Sequence, residues 1–257
     1  MLSSLTAGAA EDAAARLELV GFAEVEQKAL AAPPALDALA FLAPAERVKI
    51  IAEVKRSSPS RGALAAIADP ASLASTYQSA GASTVSVLTE GRKFKGSLRD
   101  LELVRDAVTI PVLRKDFITL DYQVFEARAA GADLVLLIVA ALDQPTLVHL
   151  HELISSLGMT PLVETHSADE VERALDIGAS LIGVNARNLT TFELDRDLFG
   201  TLADRIPAGI IRVAESAVKT AADVSHYRSS GADVVLVGEA LVTGDPARTL
   251  EEFLGVS

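Results

Sequence analysis

The chain has no cysteine. Disulfides, thiolate metal sites and cysteine nucleophiles are therefore excluded. Histidine is scarce: His149, His151, His166 and His226 are the whole complement, and no metal-ligand spacing joins them on one element. His149 and His151 lie two apart in a helical stretch, so they point to different faces. Long apolar runs are missing too. The longest, Leu134 to Leu142, has nine residues, far short of the roughly 20 that span a bilayer. The first thirty residues carry Glu11, Asp12, Glu18, Glu24 and Glu26 and lack the basic start and apolar block of a signal peptide. A soluble, cytoplasmic protein is expected. Positive charge is the minority: 23 Lys and Arg stand against 35 Asp and Glu, a net charge of −12. A surface that negative repels phosphate backbones and anionic lipid, which argues against nucleic acid or membrane as partner. It leaves room for a small anion in a local basic pocket.

What is present in quantity is apolar side chain, half of the 257 residues, enough for a large core. A repeat organises it. AGASTVSVLTE (80–90), AGADLVLLIVA (130–140), IGASLIGVNAR (177–187) and SGADVVLVGEA (230–240) each place a Gly-Ala pair before an apolar run rich in β-branched residues. The glycine fits the left-handed position that ends a helix, and the run fits a buried parallel strand. Between successive repeats there is room for one more strand and helix. Those strands are KIIAEVK (49–55), PVLRKDF (111–117), TPLVETH (160–166) and IRVAES (211–216). Asp69-Pro70, Asp143-Gln144-Pro145 and Asp245-Pro246 read as helix starts, and Ser167 with Glu170 has capping-box spacing. Helices are predicted near 70–80, 97–107, 120–130, 144–157, 168–177, 196–205, 219–230 and 246–254. Eight alternating strand–helix units in this length specify a (β/α)8 TIM barrel in the α/β class. A doubly wound open sheet would carry a glycine-rich turn after its first strand, and none is here. Residues 1–47 form an N-terminal helical extension with a helical pattern over 9–31, and residues 48–257 the barrel, one domain in all.

Charged residues inside a barrel are costly unless paired or functional. Alternation puts Ile51, Glu53 and Lys55 on one face of the first strand. It groups Leu113, Lys115 and Phe117 on the third, Leu162, Glu164 and His166 on the fifth, Gly183, Asn185 and Arg187 on the sixth, and leaves Glu215 at the end of the seventh. Glu53, Lys55, Lys115, Glu164, Asn185, Arg187 and Glu215 thus gather at C-terminal strand ends, where TIM barrels place their active sites. Ser216-Ala217 and Gly238-Glu239 follow strands seven and eight, the usual phosphate-holding loops of this fold.

Several motifs resemble those of the indole-3-glycerol phosphate synthase family. They are Glu53-Val54-Lys55-Arg56-Ser57-Ser58-Pro59-Ser60-Arg61-Gly62, Val87-Leu88-Thr89-Glu90 with Phe94 and Gly96-Ser97, PVLRKDF (111–117), Leu162-Val163-Glu164, IGVNARNL (182–189) and Ala214-Glu215-Ser216. The resemblance runs from about residue 44 to the C-terminus and more loosely through the extension. It implies a TIM-barrel carbon–carbon lyase of tryptophan biosynthesis that needs no cofactor or metal. The enzyme closes the ring of 1-(2-carboxyphenylamino)-1-deoxyribulose 5-phosphate with loss of carbon dioxide and water. By the same resemblance Lys115 protonates the ketone oxygen. Glu53, Lys55 and Glu164 share the remaining proton transfers in a division that stays open. Lys55, Asn185 and Arg187 meet the anionic ends of the substrate, and Glu215 orients a hydroxyl or a lysine. Ser58, Phe94, Phe117, Leu136 and Leu189 line the substrate site, and Ser216, Ala217, Gly238 and Glu239 hold the phosphate. The expected partner is a small sugar phosphate, with the chain acting as a monomer and association with other pathway enzymes left open. Ala217 stands where the family usually has glycine, and a turn with φ < 0 is expected there because alanine in the left-handed region is strained. Glu239 stands where some relatives have serine and is expected to point away from the phosphate. A Schiff-base aldolase using Lys55 or Lys115 and a non-catalytic phosphate-binding barrel are the competing readings of these residues.

Overall fold

The four repeats end helices and start strands for one physical reason. Gly81, Gly131, Gly178 and Gly231 have φ of 97°, 86°, 75° and 94°, the left-handed region that side chains resist. Each turn releases the chain into an apolar run that has only burial to gain. In this computed structural model, which describes residues 1–189, 191 and 193–256, those runs are β2 (Thr84–Leu88), β4 (Leu134–Ile138), β6 (Leu181–Asn185) and β8 (Val234–Val237). Between them lie β1 (Lys49–Val54), β3 (Val112–Lys115), β5 (Thr160–Thr165) and β7 (Ile211–Glu215). All eight are parallel, each hydrogen-bonded to its sequence neighbours. The first and last strands pair with Lys49 opposite Val234 and Ala52 opposite Val237, which closes the barrel.

The barrel helices are α4 (Pro70–Ser79), α5 (Leu98–Ala107), α6 (Asp121–Ala129), α7 (Gln144–Ser156), α8 (Ala168–Asp176), α9 (Leu198–Ala203), α10 (Ala221–Ser229) and α12 (Pro246–Leu254). Asp69 accepts the Ser72 N–H at 3.0 Å, Asp143 the Thr146 N–H at 2.9 Å, and Asp245 the Ala247 and Arg248 N–H groups. Each thus caps a helix whose first turn contains the proline noted in the sequence. A four-residue helix, α11 (Glu239–Val242), follows β8 directly.

Alternation along the strands makes two cores. Ile51, Leu113, Leu134, Leu136, Leu162, Leu181, Val213 and Leu236 fill the barrel interior. Ile50, Ala52, Val85, Val87, Val135, Val163, Ile182 and Val235 face the helices. Removing one such side chain to alanine costs about 2–5 kcal/mol, because close-packed walls do not collapse into the cavity.

The extension differs from its expected outline. It is two helices, α1 (Leu2–Val20) and α2 (Phe22–Ala31), followed by α3 (Ala38–Leu42). The break falls at Gly21, with φ 79° and ψ 148°. The alanine-rich start carries α1 seven residues earlier than the 9–31 pattern, as alanine's helix propensity favours. Phe22 stacks on Tyr122 and Phe125 of α6, and Arg16 pairs with the buried Glu126 at 2.5 Å. Leu5 and Ala9 join the barrel-interior cluster from above. No helix among the described residues is long and apolar enough to cross a membrane.

Candidate active site

At the C-terminal mouth of the barrel the inward alternation brings charged side chains into contact. Lys115, the last residue of β3, lies 2.6 Å from Glu215 Oε2 and 3.8 Å from both Glu53 Oε2 and Glu164 Oε2. The three carboxylates come from β7, β1 and β5, so no local motif could bring them together; closing the barrel does. All three are buried. Lys55 lies one residue beyond β1, and its Nζ is 2.6 Å from Glu53 Oε1. Asn185, ending β6, donates from Nδ2 to Glu164 Oε1 at 3.1 Å. Its Oδ1 accepts from the Arg187 N–H at 3.0 Å and from Ser216 Oγ at 2.8 Å.

This crowding needs space, and two glycines supply it. A Cβ on Gly183 would sit 2.2 Å from Glu215 Oε1. A Cβ on Gly238 would sit 2.4 Å from Glu53 Oε1 and 2.8 Å from Lys55 Nζ.

Three carboxylates share one ammonium, and the sharing is unequal. Burial works against the Lys115 charge, but Glu215, Glu53 and Glu164 more than offset it and raise its pKa. It is an ammonium at any physiological pH. Burial raises the Glu215 carboxyl, Lys115 opposes this, and repulsion by Glu164 adds to the rise, leaving it at about 7. Burial also acts against Glu164, yet His166, Lys115 and Asn185 hold it well below the ordinary carboxylate range. Glu53 is likewise lowered, with Lys55 and Lys115 overcoming its burial.

Above these groups is a cavity lined by every expected substrate residue: Ser58, Phe94, Phe117, Leu136, Arg187, Leu189, Ser216, Ala217, Gly238 and Glu239, with Glu53, Lys55, Lys115, Glu164 and Asn185 at its floor. Glu215 lies beneath, behind Lys115. The rings of Phe94 and Phe117 approach to 6.2 Å between centroids. Phe94 is placed by Glu90, whose carboxylate accepts the N–H groups of residues 92, 93 and 94.

One backbone expectation is overturned. Ser216 has φ 70° and Ala217 φ 58°, both left-handed, where a turn with φ < 0 was expected at Ala217. The turn is over-determined from three sides. Glu215 is held by Lys115, Ser216 Oγ by Asn185, and the Ser216 carbonyl by the Tyr227 hydroxyl at 3.2 Å. Such anchoring keeps strain of about 1–2 kcal/mol per non-glycine residue in place. Glu239 meets Arg61 at 2.8 Å. Arg61 lies in a hairpin loop closed by Ser57–Ser58 and Gly62–Ala63, an ordered turn with no repeat or apolar run to announce it.

Other lining residues were not anticipated. Leu5 of α1, Pro59, Ser60 and Lys219 also face the cavity. Lys219 and Leu5 lie outside strand ends, so face alternation carries no signal for them. Arg114, next to Lys115, points outward and is fully buried with Thr89, Asp116 and Glu126.

The sequence model of the indole-3-glycerol phosphate synthase family matches residues 2–253. The indole-3-glycerol phosphate synthase of Leifsonia xyli subsp. xyli is 68% identical over 256 residues, covering 100% of this chain and 98% of that protein. That of Mycolicibacterium gilvum is 57% identical over 99% of this chain and 93% of its own length. Among solved structures, thiamine phosphate pyrophosphorylase from Pyrococcus furiosus superposes with a TM-score of 0.59 at 14% identity, covering 80% of this chain and 93% of that one. That likeness is one of barrel fold alone.

Proposed function

The chain belongs to the indole-3-glycerol phosphate synthase family, and on that premise we propose how its own residues divide the ring closure, decarboxylation and dehydration of 1-(2-carboxyphenylamino)-1-deoxyribulose 5-phosphate. The observation that carries the proposal is one ammonium, Lys115, within 3.8 Å of three buried carboxylates on three strands.

Lys115 faces the ketone. As the carboxylate-bearing ring carbon attacks the carbonyl carbon, negative charge grows on the oxygen and Lys115 donates a proton to it. Glu215, which can hold a proton near neutrality and touches Lys115 at 2.6 Å, resupplies it. Carbon dioxide then leaves and the ring regains aromaticity. Dehydration needs an acid at the departing hydroxyl and a base for the carbon proton of the new five-membered ring. Lys55, backed by Glu53 at 2.6 Å, serves as the acid. Glu164, held anionic, takes the carbon proton. Arg187 and Asn185 meet the substrate carboxylate. The backbone of Ser216-Ala217 and Gly238-Glu239, with Ser58 and Lys55, meets the phosphate. Phe94, Phe117, Leu136 and Leu189 enclose the anthranilate ring. Every proton step has a side chain to perform it, so no step calls for a metal or cofactor.

We propose further that residues 1–257 work as one barrel domain with 1–47 as its extension, as a monomer in the cytoplasm, with pathway partners optional. The test is direct: purified protein mixed with the substrate should develop indole fluorescence, and sedimentation should give a single monomeric species. Borohydride added during turnover should leave activity intact. Irreversible trapping would favour a Schiff-base aldolase instead, and absence of any fluorescence change would favour a non-catalytic binder.

A further inference from the structure

His166 lies one residue beyond β5, on the face of Glu164, and its ring is mostly buried between two carboxylates. Nε2 is 3.3 Å from Glu164 Oε1, and Nδ1 is 3.1 Å from Glu170 Oε2. Glu170 is itself fixed. Its Oε2 also accepts the His166 N–H at 2.8 Å, and its own N–H is capped by Ser167 Oγ at 3.2 Å in the first turn of α8. A neutral imidazole has one N–H and can donate to only one of these carboxylates, whereas a charged ring attracts both. The Nε2 contact has ion-pair distance without hydrogen-bond alignment, so charge carries the coupling to Glu164 while Asn185 supplies the directed bond.

The charges at the mouth point the same way. Glu53, Glu164 and Glu215 are three buried negative charges when ionised, and Lys55 and Lys115 answer two of them. With Glu170 four carboxylates stand here against two lysines, so an imidazolium at His166 narrows the excess of negative charge. We propose that His166 is a positioning residue that keeps Glu164 an oriented, anionic carboxylate and so makes it the proton acceptor of the dehydration step. This rests on the role of Glu164 proposed above. The charged groups facing His166 are Glu164 from its own strand and Glu170 from α8; Lys115, with Glu53 and Glu215 around it, reaches His166 through Glu164. Burial disfavours the charged ring, but the two carboxylates outweigh it and raise its pKa to about 10.

The experiment is the pH profile of kcat and KM for wild type, His166→Gln and Glu164→Gln. Glutamine keeps reach and polarity but carries no charge. In His166→Gln the Glu164 carboxyl should rise, so an acid limb should appear between about pH 5 and 8. The kcat should fall more than tenfold at pH 6 and recover to within a few-fold of wild type at pH 8.5, with KM changed less than threefold. Glu164→Gln should be inactive at every pH. Should His166→Gln fail to fold, Glu170→Gln tests the same coupling from the other side. It removes one of the two supports of the imidazolium, so the His166 ring, followed by NMR, should lose its proton at lower pH than in the wild type. A His166→Gln enzyme with the wild-type acid limb, or a Glu170→Gln enzyme whose His166 ring titrates as in the wild type, overturns the proposal. An active Glu164→Gln enzyme instead overturns the assigned role of Glu164.

Discussion

Lys115 holds the densest charge arrangement in the molecule, and its loss has two separable effects. Lys115→Met removes the proton donor, and kcat should drop by roughly 10²–10⁴-fold, the usual contribution of a general acid. It also leaves Glu53, Glu164 and Glu215 facing one another without their shared cation. The variant should therefore melt lower than wild type at pH 8, and the gap should narrow at pH 5 as carboxylates take up protons. A mutant retaining over a tenth of kcat would remove Lys115 from the chemistry. Ala217 makes the opposite case, a residue whose strain is local and removable. Replacing it by glycine relieves about 1–2 kcal/mol of left-handed strain, against about 0.4–1 kcal/mol for the extra freedom of the unfolded chain. The net expectation is a change between zero and about 1.6 kcal/mol of stabilisation, at most roughly 3–6 °C in Tm for a chain of this size. A lower Tm would mean that the turn is not strained.

At the scale of elements, β6 and β7 show how one strand makes room for its neighbour's chemistry. Gly183 and Glu215 lie on strands paired side by side, and the missing Cβ on β6 is the space Glu215 occupies. Gly183→Ala should push the Glu215 carboxylate off Lys115. Because the displaced atoms are the tip of a side chain, Tm should change little while kcat falls at least tenfold; equal loss of both would mean the strand itself had shifted. Much of this was legible beforehand. The Gly-Ala repeat located four strands, the intervening apolar runs located the other four, and period-two alternation pointed Glu53, Lys115, Glu164 and Asn185 inward, because these signals are local and every one serves burial. The illegible parts obey other energies. Gly21 breaks a helix that the hydrophobic pattern runs straight through, since a glycine inside a helix costs only about 1 kcal/mol and leaves the pattern intact. The turn at Ala217 is decided by anchors from β3, β6 and α10. The coupling of His166 to Glu170 replaces the ordinary capping-box bond to the Ser167 N–H with one to the preceding residue, four positions away instead of three.

For the whole molecule, the site's titration sets a pH window. Glu164 has its pKa lowered on folding, so its contribution is present above the unfolded carboxylate value of about 4.5 and is lost as pH falls toward its folded value. His166 is raised to about 10, so its contribution is complete below about 6.5 and is lost as pH climbs to about 10. Glu215 is raised to about 7, so it too favours the folded state at lower pH and loses that contribution through neutrality. Together these groups predict a Tm maximum near pH 4.5, a first decline up to about pH 7 as Glu215 ionises and a second from there to pH 10 as His166 loses its proton. In His166→Gln the part of the decline between pH 7 and 10 should be absent; a profile flat from pH 5 to 10 in the wild type would contradict the assignment. The placement of Leu5 has a different kind of consequence. It lines the same cavity as Leu236 and packs into the barrel interior from a helix that the ribosome makes more than two hundred residues earlier. Its helix rests on α2, α6 and the turn at 139–141 and pairs through Glu11 and Asp12 with Arg92, all made within the first 141 residues. The seat of the first helix is therefore complete once β4 and α6 have formed, while the cavity it roofs still lacks the side chains of β5 to β8. A nascent chain can thus carry its roof before it has a site to cover, and pulse-labelling hydrogen exchange during refolding should find the amides of residues 2–20 protected no later than those of β8.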